Sequence, residues 1–380
     1  MRITLTAGPH EYRNCPIKAC VDDGYLQHGE ASLVREDGSR LPCQLFTEQG
    51  KSYVAWMESQ LAPGETRTYI LDSEPAGAGE RVRVVDVGDG KLEVTIEGRL
   101  FTRYHYGEQW PRPFLYPLIG PGGVSVTRHY PMRDDVPGEK HDHPHHKSVW
   151  VAYGEVNGTD NWSENEGHAW IRHRSFEEIT SGPVFGRIRS VNDWVSSEGA
   201  KQMEDVREFT FYNCEAERIV DVCIRFVAPD GGVHIGDTKE GGVLSIRVAS
   251  SMDGDAGGLI VNSRGGATEA QTWGKPAEWV DYSGPVGDKT MGITVMDSPT
   301  SFRYPSRWHV RDYGLFTANP FALKYYEPDK GVNGDHTIPK GGEIAFRYRV
   351  YVHEGNAEQA AVGARYDDFV SPPSVEVHPD

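Results

Sequence analysis

The chain has 380 residues and a formal charge of -17, from 56 acidic against 39 basic side chains. That balance excludes nucleic acid or an anionic membrane surface as the main partner, since both need a basic footprint. No stretch reaches the ~18 apolar residues needed to span a bilayer, and the first residues, Met1-Arg2-Ile3-Thr4-Leu5, alternate like a strand rather than forming a signal-peptide core; a cytoplasmic protein is expected. At this length two domains are the default, and 43 Gly, 24 Pro, 9 Trp and 18 Tyr suit an all-β chain with many turns. The five cysteines, Cys15, Cys20, Cys43, Cys214 and Cys223, are dispersed and lack the second pair of a zinc site, so reduced and mostly buried thiols are expected.

Residues 1–78 alternate short apolar runs with turn signals. Strands are expected at Ile17–Val21, Ala31–Arg35, Gln44–Phe46, Tyr53–Met57 and Thr66–Leu71, separated by Asp22-Asp23-Gly24, Glu36-Asp37-Gly38 and Glu48-Gln49-Gly50. This spacing predicts a small β-sandwich of immunoglobulin-like size. The small residues Pro75-Ala76-Gly77-Ala78-Gly79 read as a linker.

From residue 79 to 355 strands follow one another with few helical stretches. Val82 and Val84, then Leu92, Val94 and Ile96, alternate with polar residues as a half-buried strand does. Tyr104 to Pro113 is rich in aromatics and proline, and reads as an irregular rim. After a turn at Gly120–Gly123 and a strand at Val124–Arg128, the polar run Pro131 to Lys140 leads into His141-Asp142-His143-Pro144-His145-His146-Lys147-Ser148. Four histidines in six positions beside a carboxylate point to acid/base or metal chemistry. Ser148–Tyr153 reads as the strand that carries them. In an extended segment His141, His143 and His145 would share one face, with His146 on the other. Further strands are expected at Gly186–Val191, Val206–Phe211, Ile219–Phe226, Val243–Arg247 and Ile344–His353. Two large stacked antiparallel sheets follow from this pattern. Residues 356–380 are expected to be a short helix over Ala357–Phe369 and a loose, Pro-rich tail.

Residues suited to a site fall into groups. His143, His145 and His146 are candidate acids, bases or ligands. Glu240, with Asp237, is a carboxylate beside Gly241-Gly242, where backbone can approach a ligand. Trp162, Trp273, Trp279, Tyr282 and Trp308 are candidates for stacking on sugar rings. Arg247, Arg303 and Arg311, with Asn157, Asp160, Asp281 and Asn319, are candidates for fixing hydroxyls or carbonyls. No GxSxG elbow, P-loop or dinucleotide-binding glycine run is present, so no nucleotide cofactor is expected.

The run Asp142-His143-Pro144-His145-His146-Lys147-Ser148, with Gly154-Glu155-Val156-Asn157-Gly158, Lys239-Glu240-Gly241-Gly242, Trp279–Gly284, Tyr313-Gly314 and Asn319-Pro320-Phe321, resembles the family labelled methane oxygenase PmoA over roughly residues 90–355. The resemblance implies a galactose mutarotase-like supersandwich, a small carbohydrate or glycoside as substrate, and a functional link to sugar oxidoreductases. It opens several activities. One is C–O cleavage of a 3-keto glycoside, in which a neutral histidine abstracts the proton made acidic by the ketone and a second protonates the departing oxygen. One divalent metal ion, held by His143, His145 or Glu240, is a possible aid to that step. The alternatives are an aldose mutarotase or epimerase, a non-catalytic carbohydrate-binding protein, and a metal-dependent oxygenase.

Overall fold

The computed structural model describes residues 1–22, 24 and 31–379; the turn expected at Asp22-Asp23-Gly24 lies partly outside them. The chain is all-β, and its strands divide into a small and a large sandwich. In the small one, a sheet ordered Ser374–His378, Arg2–Thr6, Thr66–Asp72, Ser32–Val34 and Arg40–Pro42 faces a second of Tyr12–Val21, Lys51–Leu61 and Gln44–Glu48. Alternate residues Ile3, Leu5, Ile17, Val54, Trp56, Tyr69 and Leu71 meet in its core. This is the expected sandwich with one correction. The last residues are not a loose tail: Ser374–His378 pairs antiparallel with Arg2–Thr6, Val377 opposite Ile3. Its Val375 and Val377 pack on the small core, which offsets the cost of ordering a terminus.

The large sandwich stacks two eight-stranded sheets. One runs Trp308–Val310, Leu315–Ala318, Gly241–Arg247, Val149–Tyr153, Phe114–Leu115, Arg99–His105, Lys91–Ile96, Val82–Gly88. The other runs Trp170–Thr180, Phe185–Val195, Lys201–Tyr212, Arg218–Val227, Glu343–Glu354, Lys289–Asp297, Trp279–Val286, Leu259–Asn262. Neighbouring strands are antiparallel throughout, so each strand sends alternate side chains to the interlayer core. From the first sheet these are Val151, Tyr153, Leu244, Ile246, Trp308 and Phe316; from the second, Trp194, Phe226, Ile293, Phe346 and Tyr348. The strand expected at Val124–Arg128 is reduced to isolated bridges of Ser125 and Thr127.

The helix at Val362–Val370 starts later than the expected Ala357–Phe369 and ends one residue beyond it, and two short ones at Thr268–Thr272 and Leu323–Tyr326 were not expected. All five cysteines are free, with Cys15, Cys43 and Cys214 buried. Among the described residues no helix is long and apolar enough to cross a membrane.

Candidate functional site

The first large sheet turns an unusual row of side chains away from the interlayer core. Phe114 lies opposite Trp150, Trp150 opposite Ser245, Ser245 opposite Thr317, and Thr317 opposite His309. Residues directly opposite in antiparallel strands share a face, and the Ser245 and Thr317 hydroxyls confirm it with a 2.7 Å hydrogen bond. Gly242 is required beside them, because a Cβ there would fall 1.5 Å from Thr317 Oγ1. The loops that follow and precede these strands cover the row.

The histidine cluster is one of those loops, and it is not extended. His146 donates its backbone N–H to His143 O at 3.0 Å, closing a turn through Pro144 and His145. The turn brings the first and fourth residues together, so His143 and His146 share a face, contrary to the extended reading. Their rings stack 4.8 Å apart at 5°. Tyr313 lies parallel beside both rings, 4.9 Å from His143 at 8° and 6.4 Å from His146 at 12°, and Trp150 stacks on His146 at 5.3 Å and 23°. His145 stands across the column, 4.4 Å from His146 and 5.8 Å from Trp162. His141 stacks on Tyr130 instead.

Charges fix the column. Arg128 and Arg247, both fully buried, converge on Asp142, Arg247 at 2.8 Å. Arg128 also holds the His143 carbonyl at 2.9 Å. Burial alone would raise the Asp142 carboxyl, but the guanidiniums of Arg247 and Arg128 pull it below its usual range, so it stays ionised. Asp142 Oδ2 lies 3.1 Å from His143 Nδ1, outside hydrogen-bond geometry; the adjacent negative charge favours the Nδ1–H tautomer, with the lone pair on Nε2. His143 is 39% exposed and reaches solvent.

His146 is set the opposite way. Arg247 Nη1 donates to its Nδ1 at 3.1 Å, and a guanidinium has no lone pair to accept. Nδ1 is therefore the acceptor, and the proton sits on Nε2. Burial, with His145 and Arg247 adding repulsion, holds His146 neutral well below the usual imidazole range. Burial, with Arg112, likewise pushes His145 down to about 3.

A pH prediction follows. His145, His105 (about 4) and His309 (about 4) have folded pKa values lowered by burial, as does His146. Between those values and ~6.5 the unfolded chain binds more protons than the folded one, so stability falls as pH drops below ~6.5. Each group adds up to about 1.4 kcal/mol per pH unit in that window. Denaturant titrations between pH 7 and 5 should show the slope, and His145→Phe should reduce it by one proton.

Of the residues expected from sequence, the structure brings His143, His145, His146, Trp162 and Arg247 into one cluster. Arg311 joins it through Tyr313, its guanidinium 5.3 Å from that ring. Glu240 is exposed and pairs with Lys239 at 3.0 Å, while its charge bears on Tyr313 and His309. Trp273 packs edge-on against His309 at 6.3 Å. Among the described residues no three His, Cys, Asp or Glu side chains form a metal-ligand group, the expected trio His143, His145 and Glu240 included.

The other expected residues serve the fold. Trp279 packs against the Val362 helix on the outer side of the second sheet. Asp281, on that same strand, is buried with His353 at 2.8 Å and Thr294 at 2.9 Å. Tyr282 is a core residue whose hydroxyl donates to Asp312 O at 2.9 Å. Asn157 accepts from His234 N at 2.8 Å, Asp160 caps Trp162 N at 2.8 Å, and Asn319 ties Gly241 O at 3.1 Å. Asp237 receives Lys324 N at 3.0 Å, Arg303 donates to Asp335 O at 2.9 Å, and Trp308 Nε1 to Ala277 O at 2.9 Å. Sequence reasoning missed Arg128 and His309. The signal for His309 is a lone histidine between two core residues, Trp308 and Val310, which places it on the opposite face.

Fold and site together define a large antiparallel β-sandwich protein with a histidine column seated on one sheet. The chain belongs to the family of unknown function DUF6807, whose model matches residues 91–367. That description carries no methane oxygenase label. No curated protein matches the chain. Among solved structures, it is similar to a glycosyl hydrolase family 38 protein from Enterococcus faecalis, at 11% identity and a TM-score of 0.44, covering 100% of this chain and 47% of that one. An alpha-mannosidase from Enterococcus faecalis V583 gives 11%, 0.46, 100% and 46%, and an alpha-galactosidase from Lactobacillus brevis 9%, 0.35, 74% and 40%. The chain spans less than half the length of each.

Proposed function

We propose that the chain is a carbohydrate-active enzyme that cleaves the C–O bond of a 3-keto glycoside by elimination. The observation that carries this reading is the pair of stacked histidines in opposite surroundings, His143 with Asp142 beside its Nδ1 and its Nε2 lone pair free, His146 with Arg247 on its Nδ1 and the proton on Nε2. Proton abstraction beside a carbonyl needs both, a base for the carbon-bound proton and a donor for the oxygen that becomes negative. Glycoside hydrolysis ordinarily uses two carboxylic groups instead, and Asp142 is committed to Arg128 and Arg247. The aromatic walls at Tyr313 and Trp162, and the family resemblance of the motif, favour a sugar as the ligand.

In this reading His143 takes the proton from the carbon between the ketone and the anomeric centre. His146 donates its hydrogen bond to the ketone oxygen as the enolate forms. The enolate then re-forms the ketone, a C=C bond forms to the anomeric carbon, and the glycosidic oxygen leaves with the proton His143 carries. No oxidant is consumed. In this reading the electrophile is the His146 N–H. The ketone itself must come from an oxidoreductase acting on a plain glycoside.

Incubation with paired plain and 3-keto glycosides, followed by proton NMR, tests the reading. The keto compound alone should be consumed, releasing its aglycone. Faster anomer interconversion of a plain sugar without cleavage would show a mutarotase instead, and consumption of neither would contradict the proposal.

A further inference from the structure

The histidine turn rests on a buried ionic cluster that the elimination itself does not use. Lys147 and Arg112, each 1% exposed, share the Glu164 carboxylate, Lys147 in direct contact and Arg112 at 3.7 Å. The three donors of the Lys147 ammonium are all accounted for. One goes to Glu164 and one to the Pro144 carbonyl at 2.9 Å, which leaves the third for the Trp110 ring, 5.7 Å away. Arg112 donates to the next carbonyl, His145 O, at 3.2 Å. With Arg128 on His143 O, three successive carbonyls of the loop each accept from a different buried cation.

The Pro144 carbonyl decides the form of the turn. In the turn from His143 to His146 it belongs to the central peptide, and types I and II differ in which way that peptide points. Proline at the second position suits both forms, so the sequence leaves the choice open. Type II needs φ > 0 at its third residue; His145 keeps a negative φ, so the turn is type I. The backbone around it is strained. His143 at φ 42° and Ser148 at 56° occupy the left-handed region that residues with a Cβ rarely adopt. Such backbone persists only where its surroundings over-determine it, and the buried cations supply that constraint. In this form the His145 ring stands edge-on to His146, 4.4 Å away.

We propose that Lys147, seated by Glu164, is a positioning residue for the elimination: it fixes the central peptide of the turn, and with it the place of His145 against the His146 ring. This rests on the proposed function for the consequence to turnover, though not for the hold itself. Burial pulls the Lys147 ammonium down to about 8, with Glu164 opposing it, so it remains a charged donor at neutral pH. No other described residue donates to the Pro144 carbonyl. Without Lys147 the central peptide is free to turn over, and the His145 ring moves with it.

Lys147→Met removes the donor and keeps the bulk of the side chain. Nitrogen-15 NMR of the histidine-labelled full chain, with the His145 signals assigned against His145→Phe, reads the turn without requiring turnover. The wild type should give one set of His145 imidazole signals, and the variant a shifted or doubled set. With a 3-keto glycoside, kcat should fall by at least about tenfold, the scale on which a small misplacement of acting groups is felt. KM should stay within about threefold, because no residue argued to touch the sugar is replaced. Where that variant does not fold, Lys147→Gln, which keeps a shorter donor, carries the same readouts, with a loss of at least about threefold in kcat. A folded variant with unchanged His145 signals, or with unchanged kcat, would overturn the proposal and make Lys147 merely structural. If the signals change while even the wild type consumes no keto glycoside, the hold on the turn stands and the elimination falls.

Discussion

Replacing His143 by Ala should lower turnover of a 3-keto glycoside by about 10²–10⁴-fold, the usual contribution of a positioned acid or base, with the fold intact. The stability cost should be small. His143 is 39% exposed, and its ring contributes stacking with Tyr313 and His146, worth about 0.5–1.5 kcal/mol per pair at most. Asp142 keeps both guanidiniums when the imidazole is gone, so no buried charge is stranded. Initial rates and a denaturant titration on the same preparation separate the two effects. Full activity in the variant would remove His143 from the chemistry.

The second large effect is expected at Arg247→Met. Arg247 touches no substrate in this account; it acts through His146 and Asp142. It is fully buried and shared between the His146 Nδ1 at 3.1 Å and the Asp142 carboxylate at 2.8 Å. Breaking a buried ion pair from one side costs about 3–5 kcal/mol, and the surviving Arg128 contact places the expected loss near the lower end. With the donor removed, His146 is free to take either tautomer, and its pKa rises because the nearby positive charge is gone. Turnover should fall by at least about tenfold, since only the Nε2–H form stabilises the enolate oxygen. Nitrogen-15 NMR of the histidines reads the positioning role directly. The wild type should show His146 as the Nε2–H tautomer across neutral pH, and the variant a mixture. An unchanged tautomer with lowered turnover would make Arg247 merely structural.

Much of the architecture is written in local patterns. Alternation in Leu92, Val94 and Ile96 and in Ile219 to Phe226 identifies strands of the large sandwich because one face of each must be buried. The histidine loop was also legible as a place, from density alone. Its geometry was not. Pro144 sits in the middle of a turn, and a turn reverses which side chains meet, so the extended reading separated the two rings that stack. Trp279, Asp281 and Tyr282 misled for another reason. An aromatic and a carboxylate in one strand look the same whether that strand lies in the sheet bearing the site or in the opposite one, and only strand order settles this. The pairing of Ser374–His378 with Arg2–Thr6 is invisible for a similar reason, as it joins the two ends of the chain through tertiary contact alone. His309 was missed because its company, Thr317, Ser245 and Trp150, comes from three other strands.

The most direct test of the central claim is deuterium incorporation. A 3-keto glycoside incubated with the enzyme in D2O and followed by proton NMR reports on the carbon between the ketone and the anomeric centre. If His143 removes that proton, the hydrogen should be gone from the product, where that carbon belongs to the C=C bond, and deuterium should enter that carbon in the residual substrate; His143→Ala should abolish both the exchange and the cleavage. A cleavage product that still carries the original hydrogen at that carbon would contradict the account.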